Sequence, residues 1–324
     1  MTDALTVIAP DGRTLAYAES GNPAGPPLFL FHGTPGSRLD HDPFDNPTAA
    51  HIITIDRPGY GQSSPFPGRR LIDWPADVVA VADALGIDRF TVMGISGGGP
   101  HALVCAALIP HRLHRVGVVC GVGPLHEPWT DEGSNAQNTA LANVARDNPA
   151  ALTEIGAMIA DAVQAAPDAG AFFGTPAPDM PAVDVATLAI PEVQAMIFAS
   201  TREAMRQGGE GFAEENRMLA EPWGFDLGAI TVEVRFIQGT DDTNVPPSHA
   251  TFLAGAIPGA ALTLLQGEGH MSLAMRHAPR DSVRHGTARL ARPGAGTRRR
   301  AGREGSGRPR ANVNDASQHL GATE

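Results

Sequence analysis

Through the first 123 residues, short apolar runs alternate with turn signals. Residues 5–9 and 13–18 are β-rich and flank Pro10-Asp11-Gly12, which predicts a hairpin. Pro27 to Phe31 and Ile52 to Asp56 are further apolar runs. Between Asp73 and Leu85 the apolar residues Val78, Val79, Val81, Ala82 and Leu85 fall at helical spacing, and Gly86 is a stop signal. Phe90 to Met93 reads as a strand, Gly98 to Leu108 as a helix, and Val116 to Cys120 as a strand apolar throughout, as one covered on both faces would be. Strands alternating with helices predict a parallel α/β sheet.

The rhythm changes after Pro124. From 124 to about 225 the chain is helix-prone, in Ala-rich runs split by Pro and Gly. The strand pattern restarts at Val232 to Ile237 and repeats at Ala261 to Leu265. This predicts a core of residues 1–123 and 226–275, interrupted by a helical lid, 124–225, over the C-terminal edge of the sheet.

The chain has 324 residues, 42% of them hydrophobic, enough for one large domain with an insertion. Its net charge of -11 is uneven: from residue 276 onward there are 11 Arg against 4 acids, a local +7, leaving -18 on residues 1–275. An acidic body speaks against nucleic-acid binding by the core. Cys105 and Cys120 sit in apolar runs and read as buried free thiols, which fits a reducing cytoplasm. Neither a signal peptide nor a transmembrane run of 18 apolar residues is expected. Residues 276–324 are rich in Gly, Arg and polar residues and interrupted by Pro279. They read as a disordered basic tail. A tail that binds an anionic partner and a tail translated in a shifted reading frame would both have this composition.

The chemistry collects where predicted strands end. Gly94-Ile95-Ser96-Gly97-Gly98 fits the G-x-S-x-G elbow, in which a sharp strand-to-helix turn exposes a serine hydroxyl. The N–H of Gly97 then lies at a helix N-terminus, where positive partial charge favours an oxyanion. The two late strands run into Gly239-Thr240-Asp241-Asp242 and Gly267-Glu268-Gly269-His270. A serine hydroxyl needs an imidazole to take its proton, and the imidazole needs a carboxylate to hold its tautomer. Ser96, Asp241 or Asp242, and His270 supply these three types in that chain order.

These motifs, with His32-Gly33-Thr34-Pro35-Gly36 and Asp56-Arg57-Pro58-Gly59-Tyr60-Gly61-Gln62-Ser63, resemble the α/β-hydrolase-fold serine hydrolases of the esterase, aminopeptidase and lid-bearing group, over roughly residues 1–275. The resemblance implies Ser96 as nucleophile, His270 as base, and Thr34 and Gly97 as oxyanion-hole donors. It selects Asp242 over Asp241, because only Asp242 fits Gly-x-x-Asp-x-x-Val-Pro ending at Val245-Pro246. It implies hydrolysis of a small-molecule ester, thioester or amide, with neither cofactor nor metal. A proline-iminopeptidase-like exopeptidase, a C–C bond hydrolase and an inactive ligand-binding protein also fit these residues. Ser96 at the elbow disfavours a dehalogenase or epoxide hydrolase, which use a carboxylate there. Oligomeric state is left open.

The remaining polar residues receive structural readings. His32 is a turn histidine, Asp56 and Arg57 shape a loop, and His101 is packing or surface. His249, Glu268 and the acids Glu203, Glu210, Glu214 and Glu215 are read as solvated. His111 and His114 are three apart but have no further donor for a metal.

Overall fold

The computed structural model describes residues 4–40 and 49–276. Among them eight strands form one sheet: β1 (Leu5–Ile8), β2 (Thr14–Gly21), β3 (Pro27–Phe31), β4 (His51–Ile55), β5 (Phe90–Ile95), β6 (Leu113–Val119), β7 (Val234–Gly239) and β8 (Ala261–Leu265). Their order is β1-β2-β4-β3-β5-β6-β7-β8. β1 and β2 form the expected hairpin, β2 runs antiparallel to β4, and the pairs from β4 to β8 are parallel. The parallel strands therefore present their C-terminal ends along one edge, where chain segments distant in sequence converge.

Side-chain alternation divides the core. In β3, Phe29 and Phe31 point into the large cluster, while Leu28 and Leu30 point to the other face. The large cluster packs the sheet on α1 (Trp74–Ala84), α2 (Gly98–Leu108) and α9 (Pro247–Ala256) through Val78, Val81, Leu103, Val104 and Leu253. α2 is buried along nearly its whole length, which explains its apolar composition on every side. On the opposite face Leu28, Leu30, Met93 and Val119 meet Leu273 and Ala274. Those two belong to a helix that starts at residue 270 and is described to 276. The remainder of the predicted basic tail lies outside the described residues.

Between β6 and β7 come six helices: α3 (Ala136–Asp147), α4 (Ala151–Ala165), α5 (Ala169–Phe173), α6 (Ala182–Leu188), α7 (Pro191–Ala204) and α8 (Glu210–Leu219). They fill the interval 124–225 that the sequence marks as helix-prone. α4, α7 and α8 share a small core of Ala160, Val163, Ala204 and Phe212 around Tyr60, which follows β4. Among the described residues no single helix is long and apolar enough to cross a membrane.

Candidate active site

The turn between β5 and α2 fixes Ser96. Its φ is 53°, and Ser96 and Cys120 are the only non-glycine residues with positive φ among those described. Holding a non-glycine residue there costs on the order of 1 kcal/mol, so the surrounding structure must enforce it. Three bonds do so: Ser96 N–H donates to the Val119 carbonyl (3.0 Å), and the Ser96 carbonyl accepts from Gly99 N–H (2.9 Å) and Val122 N–H (3.1 Å). The flanking glycines are needed for close approach. A β-carbon on Gly94 would lie 2.1 Å from the Gly98 carbonyl oxygen, and one on Gly98 would lie 2.2 Å from that of Phe31.

Asp242 follows β7, and His270 follows β8. Asp242 Oδ2 lies 2.8 Å from His270 Nδ1 and accepts from Gln238 Nε2 (3.0 Å), while Oδ1 accepts the backbone N–H of Asn244 (2.9 Å) and Val245 (2.8 Å). The carboxylate is 2% exposed. Burial disfavours the imidazolium, but the adjacent Asp242 charge outweighs it, with Cys120 beside the ring, and His270 is held well above an ordinary imidazole. Asp241, by contrast, is exposed and accepts a bond from Thr240 Oγ1 (2.9 Å). The structure thus brings His270 together with Asp242.

Cys120, Asp242 and His270 offer ligand atoms within 4.8 Å of one another. They do not fit a metal, because both oxygens of Asp242 already accept two hydrogen bonds each. Burial also pushes the Cys120 thiol up, away from the thiolate that a metal requires.

Thr34 and Gly97 lie side by side: a β-carbon on Gly97 would fall 2.1 Å from Thr34 Oγ1. Their backbone N–H groups meet no acceptor among the described residues, and Gly97 is the N-cap of α2. Thr34 is fixed from behind, its hydroxyl donating to Glu215 Oε1 (2.5 Å). Arg57 spans the same region, donating to the carbonyls of His32 (2.5 Å) and Gly33 (2.9 Å) and to both oxygens of Glu215 (2.9 and 2.6 Å). Arg69 adds a third contact to Glu215 at 3.3 Å.

Glu215 is fully buried and Glu203 nearly so, which corrects the solvated reading of both. Glu203 pairs with Arg38 (2.6 Å), which also holds Asp56 (2.8 Å). His249 is likewise buried rather than solvated, bridging Gly123 N–H and the Thr130 carbonyl, both at 2.8 Å. Glu268 is half-buried and pairs with Arg276 at 3.3 Å. His32 bonds the Gly33 carbonyl through Nδ1 (2.8 Å), accepts Arg57 N–H at Nε2 (3.3 Å), and is held neutral by burial and then by Arg57. It is a turn residue, as expected. His101 is buried, edge-on to Trp74.

Ser96, Gly97, Thr34 and His270 all line one cavity of about 1240 Å³. Its far wall is built by the inserted helices, with Leu141, Ile155, Ile159, Phe172, Met196 and Phe212 among its apolar lining. No arginine lines it among the described residues. The arrangement is chemically suited to nucleophilic attack at a carbonyl, with a proton acceptor and two free N–H donors at the same surface.

The sequence matches the family described as alpha/beta hydrolase fold over residues 26–150. It is 28% identical to an uncharacterized hydrolase, YcgS, of Bacillus subtilis over 273 residues, covering 81% of this chain and 89% of that protein. It is 35% identical to a proline iminopeptidase of Neisseria gonorrhoeae over 124 residues, which is 36% of this chain and only 40% of that protein. Among solved structures, a thermophilic esterase from Thermogutta terrifontis superposes with a TM-score of 0.60 at 22% identity, covering 88% of this chain and 96% of that one. The mixed sheet with its ordered crossovers, the strained serine turn and these similarities lead to one conclusion: the chain is a hydrolase of the α/β-hydrolase fold.

Proposed function

We propose that this hydrolase is a serine enzyme that cleaves a small carboxylic ester, thioester or amide through an acyl-enzyme on Ser96. The carrying observation is that Ser96, held at φ 53°, opens on the same cavity as His270 paired with Asp242. In this reading Ser96 Oγ attacks the substrate carbonyl carbon while His270 accepts the hydroxyl proton. The N–H groups of Gly97 and Thr34 hold the developing oxyanion, each contributing about 3 kcal/mol to lowering the barrier. Collapse of the tetrahedral adduct breaks the bond to the leaving group, which takes the proton from His270. Water, deprotonated by His270, then attacks the acyl carbonyl, and Ser96 leaves with the proton returned. Asp242 keeps Nδ1 protonated and stabilises the imidazolium in both halves.

The inserted helices act as a lid, and their apolar wall favours an apolar acyl group. The likeness to a proline iminopeptidase supports a second reading, an exopeptidase that binds an N-terminal ammonium. Against it, Glu203 and Glu215 are both paired with arginines and neither lines the cavity; of the two acids that do line it, Asp40 and Asp131, Asp131 is held by Arg146 at 2.5 Å. Initial rates on nitrophenyl esters of graded acyl length and on a prolyl arylamide separate the two. A serine esterase turns over the esters and little of the arylamide; the reverse pattern overturns the ester reading.

A pH dependence follows from the same roles. The rate falls as pH drops through the His270 pKa, because the base becomes protonated. For the parent this acid limb of kcat/KM lies above the ordinary imidazole value of 6.5. Asp242→Asn removes the charge that raises it and leaves the burial that lowers it, so the limb moves down, and kcat drops by roughly 10⁴-fold. Asp241→Ala, at an exposed site, stays within about twofold of the parent. A pH-rate series on the three proteins decides: a dead Asp241→Ala beside a normal Asp242→Asn reverses the choice of acid.

A further inference from the structure

The helix carrying His270 begins without a cap of its own. Its N-cap position is Gly269, which has no side-chain oxygen to accept the first free N–H groups of the helix. Half of a capping box is nevertheless present, because Ser272 Oγ accepts Gly269 N–H at 2.9 Å. The other half arrives from α6 of the inserted block. Asp184 Oδ2 accepts the backbone N–H of His270 at 2.8 Å, and Oδ1 accepts that of Ser272 at 2.9 Å. Glycine at 269 leaves room for this, since a β-carbon there would lie 2.5 Å from the Asp184 carboxylate.

Asp184 is 2% exposed, and no cation pairs with it among the described residues. A buried carboxylate without a cation is costly, and here two backbone amides and the positive end of a helix offset that cost. Its hydrogen bonds join an inserted helix to the one residue whose ring orientation sets the proton transfer. The structure assigns Asp184 as the positioning residue of His270, a cap supplied in trans by the inserted helices that ties their seating to the geometry of the base. This inference rests on the role proposed for His270.

The charged and titratable groups facing His270 are Asp242 after β7, Cys120 after β6 and Asp184 from α6. If Asp184 is lost, the start of the helix is released and the Nδ1–Asp242 contact loosens. The test uses the full chain as parent, Asp184→Ala and Asp184→Asn. Sites are counted by titration with a fluorophosphonate, so that misfolded protein drops out. For Asp184→Ala, kcat per labelled site is expected to fall at least about tenfold with KM nearly unchanged, since small misplacements of catalytic groups are costly. Asp184→Asn, which keeps one acceptor oxygen, should lie between.

An NMR titration of the His270 ring, assigned by its disappearance in His270→Gln, gives a readout independent of turnover. In Asp184→Ala the pKa should move down as the hold of Asp242 weakens. Unchanged kcat per site and an unchanged ring titration, with only fewer sites or lower stability, would overturn the inference and leave Asp184 as scaffold. A parent that takes no label, with a ring titration that still shifts in Asp184→Ala, would sink the serine mechanism but uphold the positioning.

Discussion

Ser96→Ala is expected to lower kcat for ester hydrolysis by about 10⁶-fold, the scale of loss when the serine of the comparable subtilisin triad is removed. The reason is local. The variant keeps the His270–Asp242 pair and the free N–H groups of Thr34 and Gly97, yet has no atom to form the acyl bond. What remains is the acceleration due to the oxyanion site and binding, about 10³–10⁴ over water. The fold should tolerate the change, because the bonds that enforce the elbow run through the backbone of residue 96 rather than its hydroxyl. His270→Ala should lose nearly as much, since Ser96 then has no proton acceptor. Initial rates with circular dichroism on the same samples check both. A loss below about tenfold in folded Ser96→Ala would place the nucleophile elsewhere.

The largest stability effect is expected at Glu215. Its side chain and that of Arg57 are fully buried, and Arg69 is nearly so. Glu215→Ala leaves two guanidinium groups buried without their carboxylate, which costs about 3–5 kcal/mol. Set against a net stability of about 5–15 kcal/mol for a whole domain, this is a large fraction. The Thr34 hydroxyl loses its acceptor as well, so the oxyanion site should loosen in whatever protein remains folded. Urea unfolding of parent, Glu215→Ala and Glu215→Gln gives the ordering: the alanine variant least stable, the glutamine variant between.

The pH dependence of that stability follows from the same contacts. Burial raises the Glu215 carboxyl, but Arg57 and Arg69 outweigh it and hold it below 4.5. Its contribution is therefore complete above that value and is lost as pH falls through the folded-state pKa. The stability advantage of the parent over Glu215→Gln should shrink on acidification below about 4.5. A constant difference across that range would mean that the Glu215 charge is not what holds the arginines.

Periodicity and punctuation made the frame of the fold readable. The strand-turn-helix around Ser96, the hairpin at Pro10-Asp11-Gly12 and α2 from Gly98 to Leu108 are local features, and local rules find them. The candidate residues Ser96, Asp242 and His270 are readable for a related reason: each follows a strand of one sheet, so short motifs mark them. Glu215 and Asp184 were not readable, because their partners are remote. Arg57 lies 158 residues from Glu215, and His270 lies 86 from Asp184. A signal for Glu215 does exist in α8. Phe212, Met218 and Leu219 fall at i−3, i+3 and i+4 from it, which places the glutamate in the apolar stripe rather than on the wet face. Asp184 resembles an ordinary acid in a first helical turn, and nothing near it in the chain points to Gly269 as a helix start lacking a cap. His249 is similar, since its two partners, Gly123 and Thr130, become neighbours only when the chain after β6 folds back over α9.

The central claim is that Ser96 carries the acyl group. Incubation of the full chain with a fluorophosphonate, followed by proteolysis and mass mapping, tests it without knowledge of the natural substrate. The predicted result is one adduct per chain, on the peptide containing Gly94-Ile95-Ser96-Gly97-Gly98, absent in Ser96→Ala and strongly slowed in His270→Ala. An adduct that persists in Ser96→Ala, or a folded parent that takes no label at all, would contradict it.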